Sequence, residues 1–213
     1  NDTIDFVILL GNVLDIGTPS DGTVTNAKLA QDIISGETAL TSEPASTDEI
    51  LLSDAGTLKR IDYSLITNTP AFEATLSSGD VSISDDTATK LNINDEIYDS
   101  DSCYDNSSNY RFTPDVAGKY YVYGSIYYQG SANDNVENFQ TMLYKNGSPI
   151  KVSYLGNPEE AMQSGCIMSA CVTDMNGSSD YLELFGFTEF STGTVSAKSR
   201  VDTYFGAYRI TGA

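Results

Sequence analysis

The sequence contains no histidine and no tryptophan, and cationic side chains are few. Without imidazole, histidine-dependent serine or cysteine nucleophiles, histidine-ligated metal sites and an imidazole pH switch are all excluded. Lysine and arginine total 11 against 30 aspartate and glutamate residues, a formal net charge of −19. A field of that sign repels phosphate backbones and anionic lipid, so we expect no nucleic-acid partner and no electrostatic docking on membranes.

Cysteine is scarce, with Cys103, Cys166 and Cys171 as the whole set. Five positions along one extended strand span roughly 17 Å and place Cys166 and Cys171 on opposite faces, beyond the ~7 Å Cα separation that a disulfide tolerates. The spacing also lacks the close-set cysteine pairs of a zinc ribbon. We therefore expect free thiols that are buried as small apolar side chains.

Long apolar runs are absent too. The run from Phe6 to Leu10 has five residues, whereas a membrane-spanning helix needs ~20. Asp2 and Asp5 precede it, in place of the basic start of a signal peptide. We predict a strand there and no membrane insertion. The first residue is not methionine, which suggests processing or a longer parent chain.

The aromatic residues divide the chain near residue 70. Of 14 tyrosines and 8 phenylalanines, only Phe6 and Tyr63 precede residue 71. Residues 1–70 carry turn residues at 17–22, a predicted helix from Asn26 through Ile34, and two predicted strands at 49–53 and 57–61. None of these elements is stable alone in water, so we predict a small mixed α/β neck that docks on a neighbouring chain. A flexible linker is the alternative.

Residues 71–213 show short strands at close spacing, which predicts a mainly β domain built as a sandwich. From Lys119 to Tyr128, alternate residues separate into two apolar faces, one of which holds Tyr120, Val122, Gly124, Ile126 and Tyr128. Asn146-Gly147 predicts a tight hairpin, and Pro149 suits an edge strand. Further strands are predicted at 167–173, 181–188 and 201–210, with a glycine in the last one that permits close approach.

Two segments carry a resemblance. Tyr104 to Val122, with Phe112, Gly118 and Tyr120 at set spacing, and the closing Phe205-Gly206-Ala-Tyr208 resemble the signature of the complement-type (C-one-q) globular head and its tumour-necrosis-factor-like relatives. The likeness extends over residues 71–213 from an opening Ala71-Phe72-Glu-Ala74. It implies a homotrimeric jelly-roll head. Its site residues, either at the subunit contact or in the single-chain core, would be Phe112, Gly118, Tyr120, Val122, Phe205, Gly206 and Tyr208.

The N-terminal part carries a second resemblance. Residues 16–30 and 48–66 resemble segments of tail-fibre and related virion proteins of marine bacteriophages. Together the two likenesses imply a virion protein whose neck attaches to other virion proteins and whose head binds a host-surface glycan or protein. The loops at 131–136 and 157–163 would supply contacts or simply connect strands. A capsid decoration or tail-assembly protein is the structural alternative.

Carboxylates are the remaining source of site chemistry. Between residues 78 and 105 only Lys90 accompanies eight acidic residues: Asp80, Asp85, Asp86, Asp95, Glu96, Asp99, Asp101 and Asp105. Hard oxygen ligands of this kind suit calcium, although the sequence lacks the glycine and third ligand of a helix-loop-helix calcium site. We expect solvated turns, with calcium as the alternative and no other cofactor. A carboxylate glycosidase has neither a tryptophan platform nor a distinctive acid pair to favour it, so we expect no enzyme activity.

Overall fold

The computed structural model of the chain describes residues 32–45, 47–131, 136–156 and 161–211. The chain divides into two compact units, Asn1–Ala45 and Ser46–Ala213. In the described part of the first unit, residues 32–37 form turns, with the Gly36 amide donating to the Asp32 carbonyl oxygen at 2.6 Å. The predicted strand at 6–10, the turns at 17–22 and most of the predicted helix at 26–34 lie outside the described residues.

The second unit begins with a hairpin. Strands β1 (Glu49–Asp54) and β2 (Thr57–Asp62) pair in antiparallel register around Ala55 and Gly56, as the sequence predicts. Both turn residues have positive φ, 49° and 86°. Such values fit the two-residue turns that match the twist of a hairpin. Nearly all hairpin residues are exposed, so neither face of this ribbon is packed within the chain.

The remaining strands form two antiparallel sheets. In chain order they are β3 (Ala71–Thr75), β4 (Val81–Ile83), β5 (Thr89–Lys90), β6 (Asp95–Asp99), β7 (Tyr104–Asp105), β8 (Arg111–Phe112), β9 (Ala117–Gly130), β10 (Val136–Lys145), β11 (Ser148–Gly156), β12 (Ser164–Asn176), β13 (Leu182–Phe190), β14 (Val195–Ala197) and β15 (Tyr204–Ile210). The six-stranded sheet runs β11-β10-β13-β8-β7, with β5 also paired to β13. The seven-stranded sheet runs β4-β14-β9-β15-β3-β6, with β12 on the other edge of β9.

The pairing order is that of a jelly roll. Pairs β10–β11, β9–β12, β8–β13 and β3–β15 are nested in sequence, as when one long hairpin is rolled into two facing sheets. The predicted β-sandwich is therefore confirmed, and its first strand begins at Ala71 as predicted. Apart from one 3₁₀ turn at Tyr63–Leu65, the described residues contain no helix. The mixed α/β neck and the homotrimer stay predictions.

The core lies between the two sheets and is aromatic at one end. Phe72 stacks on Tyr104 and Phe112 at ring-centroid distances of 4.4 and 4.6 Å, and Phe205 meets Phe72 edge-on at 5.1 Å. Each such pair adds about 0.5–1.5 kcal/mol beyond the area that it buries. The predicted division of β9 into two faces is confirmed, and the structure shows which one is the inner face: Tyr120, Val122, Ile126 and Tyr128 are fully buried. Gly124 completes this face because a Cβ there would lie 2.6 Å from Leu184 of the opposite sheet.

The predicted tight hairpin is also confirmed. Asn146 and Gly147 take φ values of 51° and 77° between β10 and β11, and Pro149 is the second residue of edge strand β11. The Asn146 side chain donates to Asp180 Oδ1 at 2.7 Å and accepts from the Tyr181 amide at 2.9 Å. The turn is thereby tied to the start of β13.

The three cysteines are free, as predicted. Cys166 and Cys171 lie on opposite faces of β12, also as predicted. The prediction of burial is wrong for Cys166, which is exposed, while Cys103 and Cys171 are half-buried. The reason is that Cys166 points away from the core, on the outer face of the seven-stranded sheet.

Candidate functional site

The structure separates the residues that the family resemblance singles out. Phe112, Tyr120, Val122 and Phe205 are fully buried inside one chain, which matches the core alternative and leaves no surface for a partner. Gly206 is buried and Gly118 is half-buried. Tyr208 is 37% exposed and points outward from the seven-stranded sheet. The residues that alternate with the buried ones are the outward-facing ones on this sheet.

Those alternating residues form a surface rich in tyrosine. Register pairs Tyr208 with Tyr121, and Gly206 with Tyr123, across β15 and β9. We call this surface the tyrosine face and define it by Tyr98, Tyr121, Tyr123, Tyr204, Tyr208, Met168 and Val172. Its rings contact one another, with centroid distances of 5.5 Å for Tyr121–Tyr208, 5.9 Å for Tyr121–Tyr123 and 6.2 Å for Tyr123–Tyr204.

Gly206 explains how Tyr123 lies flat on the sheet. A Cβ at Gly206 would be 2.4 Å from Tyr123 Cζ and 2.5 Å from its hydroxyl oxygen, so only glycine leaves room for the ring. The Tyr123 hydroxyl then donates to Glu73 Oε2 on β3 at 2.7 Å. Burial raises the pKa of Tyr123, and the bond to Glu73 raises it further. The phenol therefore stays protonated and holds the carboxylate in place.

Glu73 lines a shallow depression in the tyrosine face. The depression has a volume of about 450 Å³ and is bounded by Glu73, Thr75, Tyr121, Tyr123, Met168, Val201 and Tyr204. Its walls are aromatic and aliphatic, with one carboxylate at the β3 side. An open, mostly apolar concavity of this kind suits an apolar side chain from a partner that also brings a hydrogen-bond donor or a cation.

Apolar side chains at the edge of the tyrosine face are well exposed. Met168 and Val172 on β12 are 48% and 53% exposed, and Tyr98 on β6 is 45% exposed. Single exposed apolar residues are ordinary, but a contiguous patch that includes methionine and several tyrosines is typical of a protein–protein contact. The tyrosine face is therefore the candidate functional site of this chain.

The acidic residues between 78 and 105 serve the turns of the fold. Asp105 accepts the backbone amides of Ser107, Ser108 and Asn109 at 3.0, 2.9 and 3.1 Å, which holds its pKa well below the usual range. Asp80 pairs with Lys198 and accepts the Ser199 amide at 2.9 Å, and its pKa is also lowered, chiefly by the Lys198 hydrogen bond.

Two further carboxylates have similar roles. Asp85 accepts the Phe190 amide at 2.9 Å, and Asp99 accepts the Tyr104 amide at 2.7 Å. Among the described residues, no group of three or more cysteine, aspartate or glutamate side chains converges as metal ligands would. Asp80, Asp85, Asp99 and Asp105 each accept at least one backbone amide.

Strand alternation in the sequence groups only some of the residues of the tyrosine face. Alternation alone places Tyr121 with Tyr123, and Tyr204 with Tyr208, on shared strand faces. It did not bring in Glu73, Tyr98 or Met168, because only the pairing of β3, β6 and β12 with their neighbours carries these residues to the same surface. The two predicted contact loops lie partly outside the described residues, which omit 132–135 and 157–160.

The chain has distant structural likenesses. No family profile and no curated protein matches it. It is similar to the Eiger TNF structure from S. frugiperda, with 14% identity and a TM-score of 0.48 over 67% of this chain and 93% of that one. It is also similar to the structure of murine APRIL at pH 5.0, with 9% identity and a TM-score of 0.45 over 66% of this chain and 98% of that one. The structure of murine APRIL at pH 8.0 gives 10% identity and a TM-score of 0.46 with the same coverage.

These neighbours have the tumour-necrosis-factor type of jelly roll. At TM-scores below 0.5 the overlap decides nothing by itself, and the jelly roll of this chain follows from its own strand order. In the part of the chain that the structure describes, no helix is long and apolar enough to cross a bilayer.

Proposed function

We propose that this chain is a homotrimeric bacteriophage tail-fibre or spike protein whose jelly-roll head binds a molecule on the host surface. It works by binding, with no reaction of its own, on the extracellular virion. The three heads associate through the tyrosine face, and the N-terminal segment attaches to other virion proteins. The observation that carries the proposal is the tyrosine face itself, an exposed aromatic surface on an otherwise well-packed sandwich.

Composition supports self-association at this face. Tyrosine and methionine are enriched at protein interfaces, and charged residues are depleted from interface centres. The central positions of the tyrosine face hold Tyr123, Gly206 and Tyr204, with Glu73 as the one central carboxylate. A chain with a net charge of −19 opposes its own association by repulsion, so an interface poor in carboxylates is required for a stable oligomer.

The β1–β2 hairpin supports an oligomeric neck. Leu51 and Leu58 lie on one face of the ribbon, and both are 68% exposed. Its two cations are already paired internally, Lys59 with Asp54 and Arg60 with Glu49. Isolated two-stranded ribbons are at best marginally stable in water, so packing against the hairpins of neighbouring chains would stabilise this segment. The resemblance of residues 16–30 and 48–66 to phage tail-fibre proteins points to the same arrangement.

Binding at the host surface would be multivalent. Three heads on each fibre and several fibres on each particle convert weak single contacts into an avidity that exceeds either affinity by about 10²–10⁴. Loops near 131–136 and 157–163 are the candidate contact segments, because connecting loops tolerate the variation that receptor recognition needs.

Light scattering on the purified chain tests the assembly. We expect a mass of three chains, each of 22.9 kDa. The same measurement on residues 71–213 separates the contributions of head and neck, because a trimer that survives truncation depends on head contacts. A monomer at all concentrations would overturn the proposal.

Adsorption experiments test the role on the virion. We expect soluble trimer, added to host cells before the phage, to reduce infection in proportion to its concentration. Immunogold labelling should place the chain at the distal end of the fibres. Labelling over the capsid shell, together with no competition, would instead establish the alternative of a decoration or tail-assembly protein.

A further inference from the structure

Tyr154 lies flat on the outer face of the six-stranded sheet, near the end of β11. A Cβ at Gly156 would be 2.1 Å from the Tyr154 hydroxyl oxygen, 2.5 Å from Cζ and 2.8 Å from Cε1, so the ring extends along the strand and covers the glycine. Tyr154 is nevertheless 62% exposed. One side of the ring is therefore held against the backbone of β11, and the other side faces solvent.

Polar side chains form a hydrogen-bonded row beside this ring. In the strand register Gln140 is opposite Tyr154, and Asn138 is opposite Gly156. Glu189 on β13 is the partner of Asn138 on its other side. Gln140 Nε2 donates to Asn138 Oδ1 at 3.3 Å, and Asn138 Nδ2 donates to Glu189 Oε2 at 2.6 Å. Asn138 is only 4% exposed, so the row is fixed before any ligand arrives.

The row leaves acceptors and a donor free. Among the described residues, none hydrogen-bonds to Gln140 Oε1 or Glu189 Oε1, and Gln140 keeps a second Nε2 hydrogen. A sugar hydroxyl both donates and accepts, so neighbouring hydroxyls of one ring fit a surface that offers both functions side by side. We call Tyr154, Gly156, Asn138, Gln140 and Glu189 the Tyr154 site.

The character of the Tyr154 site favours an uncharged sugar. Glu189 carries a negative charge in a chain whose net charge is −19, so the carboxylate of a sialylated or uronic-acid glycan would be repelled. The C–H side of a pyranose ring is apolar and weakly positive, and Tyr154 presents the negative face of an aromatic ring to it. An aromatic surface with a few fixed polar groups is also the usual composition of a small-ligand site.

The Tyr154 site lies at the end of the head that is opposite to its first strand residue. Ala71 lies one strand away from Tyr121 of β9, with β15 between them. From Tyr121 to Gly130, β9 extends roughly 30 Å. Gly130 contacts the segment 162–163, which also pairs with Val136 at the start of β10. In sequence, the two predicted contact loops adjoin β10 and β11 at this same end.

We propose that the Tyr154 site binds an uncharged glycan of the host surface. This inference rests on the proposed function and names the ligand class of the head. One sugar ring stacks on Tyr154, and its hydroxyls hydrogen-bond to Gln140 and Glu189. Gly156 is a positioning residue, because it leaves the space in which the tyrosine ring lies flat. Asn138 is a second positioning residue, because it holds the two polar side chains in place.

Binding of the full-length chain to immobilised oligosaccharides tests this inference. One arm of the panel holds neutral hexose and N-acetylhexosamine oligomers, and the other holds sialylated and uronic-acid oligomers. We expect only neutral members to bind, and calorimetry then gives Kd for the member that binds most strongly. Tyr154→Ala should raise this Kd about tenfold or more, as for a central aromatic contact. Tyr154→Phe keeps the ring and should retain most of the affinity.

Further variants separate the site from general effects on the fold. Gly156→Ala removes no group that touches the sugar, yet it should weaken binding because the added methyl group displaces the tyrosine ring. In a Tyr154→Ala background, Gly156→Ala should leave Kd unchanged. Tyr181→Ala is the matched control, since Tyr181 directly precedes β13 and so lies at the opposite end of that strand from Glu189. Its Kd should equal that of wild type.

The outcomes distinguish this inference from the proposed function. A raised Kd in Tyr154→Ala and Gly156→Ala, with native circular dichroism and an unchanged Tyr181→Ala, supports the site. An unchanged Kd in Tyr154→Ala, or binding of acidic members alone, overturns it. A chain that binds no member of the panel but still blocks phage adsorption overturns the glycan inference alone and points to a protein receptor. A chain that binds no glycan and blocks no adsorption overturns both.

Discussion

At the scale of single residues, the tyrosine face depends on one glycine and one hydrogen bond. Gly206 leaves the space that the Tyr123 ring occupies, and Glu73 accepts the Tyr123 hydroxyl. Both residues therefore act on the shape of the surface through Tyr123. Elsewhere in the fold single carboxylates, above all Asp105, stabilise turns by accepting several backbone amides at once.

Gly206→Ala should displace Tyr123. The added methyl group would lie 2.4 Å from the ring, so the ring must rotate away and lose its bond to Glu73. We expect a loss of about 1–3 kcal/mol in the free energy of unfolding, as for other overpacked sites, and weaker self-association. Urea unfolding and light scattering measure the two effects. In a Tyr123→Ala background, Gly206→Ala should leave the free energy of unfolding almost unchanged, because the ring is no longer there. A loss of stability that persists in that background would show that the added methyl group clashes with a different residue.

Asp105→Ala should reduce stability in a pH-dependent way. The folded pKa of Asp105 lies below its unfolded value, so its contribution is complete above the unfolded pKa near 3.8 and is lost as pH falls through the folded value. We expect a loss of about 1 kcal/mol at pH 7, typical of a side chain that caps backbone amides.

The difference between wild type and Asp105→Ala should shrink progressively below about pH 4, where the unfolded carboxyl becomes protonated. Urea unfolding from pH 7 to pH 3 measures it. Asp105→Asn keeps one acceptor oxygen without the charge, so its loss at pH 7 should be smaller, and this loss should also shrink below about pH 4 because the titrating group is the wild-type carboxylate. If the difference in the free energy of unfolding between wild type and Asp105→Ala stayed constant from pH 7 to pH 3, the charge of Asp105 would not be what stabilises the turn.

At the scale of elements, turns position the strands that carry the site. The β10–β11 turn holds the edge strand in register, and its Asn146 reaches across to Asp180 and Tyr181 at the start of β13. Local turn chemistry is thereby coupled to packing between distant segments. The β1–β2 turn, formed by Ala55 and Gly56, has no polar side chain for such a tie, and it places Ala55 at a φ of 49° that alanine adopts reluctantly.

Asn146→Ala should destabilise the head by about 2 kcal/mol, because alanine loses two hydrogen bonds and tolerates positive φ poorly. Asn146→Gly relieves the backbone without restoring the bonds, so it should recover only part of the loss. Thermal unfolding of wild type, Asn146→Ala and Asn146→Gly measures the order of their stabilities. Equal stability of the glycine variant and wild type would show that the bonds to Asp180 and Tyr181 contribute nothing.

At the scale of the whole molecule, residues 71–211, where described, have a packed interior and expose apolar side chains on the tyrosine face and along edge strand β11. The tyrosine face lies on the seven-stranded sheet, and the β11 edge lies on the six-stranded sheet. With 30 acidic residues distributed over one chain, association must overcome charge repulsion. Contact surfaces of low charge density are therefore where association can occur.

Tyr208→Asp should convert the trimer to a monomer without unfolding it. Tyr208 is partly exposed on the tyrosine face, so a charge there is tolerated in the free chain and is costly once a neighbour covers it. We expect an unchanged melting temperature for the isolated chain at low concentration and a one-chain mass by light scattering. Ser191→Asp adds the same charge at an exposed turn and should remain trimeric. Trimer formation by Tyr208→Asp would exclude the tyrosine face as the contact.

Local pattern was sufficient for the strands, the two tight turns and the division of β9 into two faces. Asn146-Gly147 and the Gly56 turn were predictable because positive φ restricts the residues that a short hairpin accepts. That Tyr120, Val122, Ile126 and Tyr128 share one face was predictable because side chains alternate across a strand. The free thiols on opposite faces of β12 followed from the same alternation.

Only the tertiary structure decided which faces point outward and which residues meet there. Tyr120, Val122 and Phe205 are in the core because the six-stranded sheet, which carries Phe112, covers their side of β9 and β15. Glu73 reaches Tyr123, 50 positions away, through strand pairing that no local pattern encodes. The acidic run at 80–105 suggested a cation by composition, yet Asp105 accepts amides of its own turn, whereas Asp80 and Asp85 accept amides of Ser199 and Phe190, which only the fold brings near them. Sequence sets the local geometry through the backbone, whereas a site is a long-range property of the order in which strands pair.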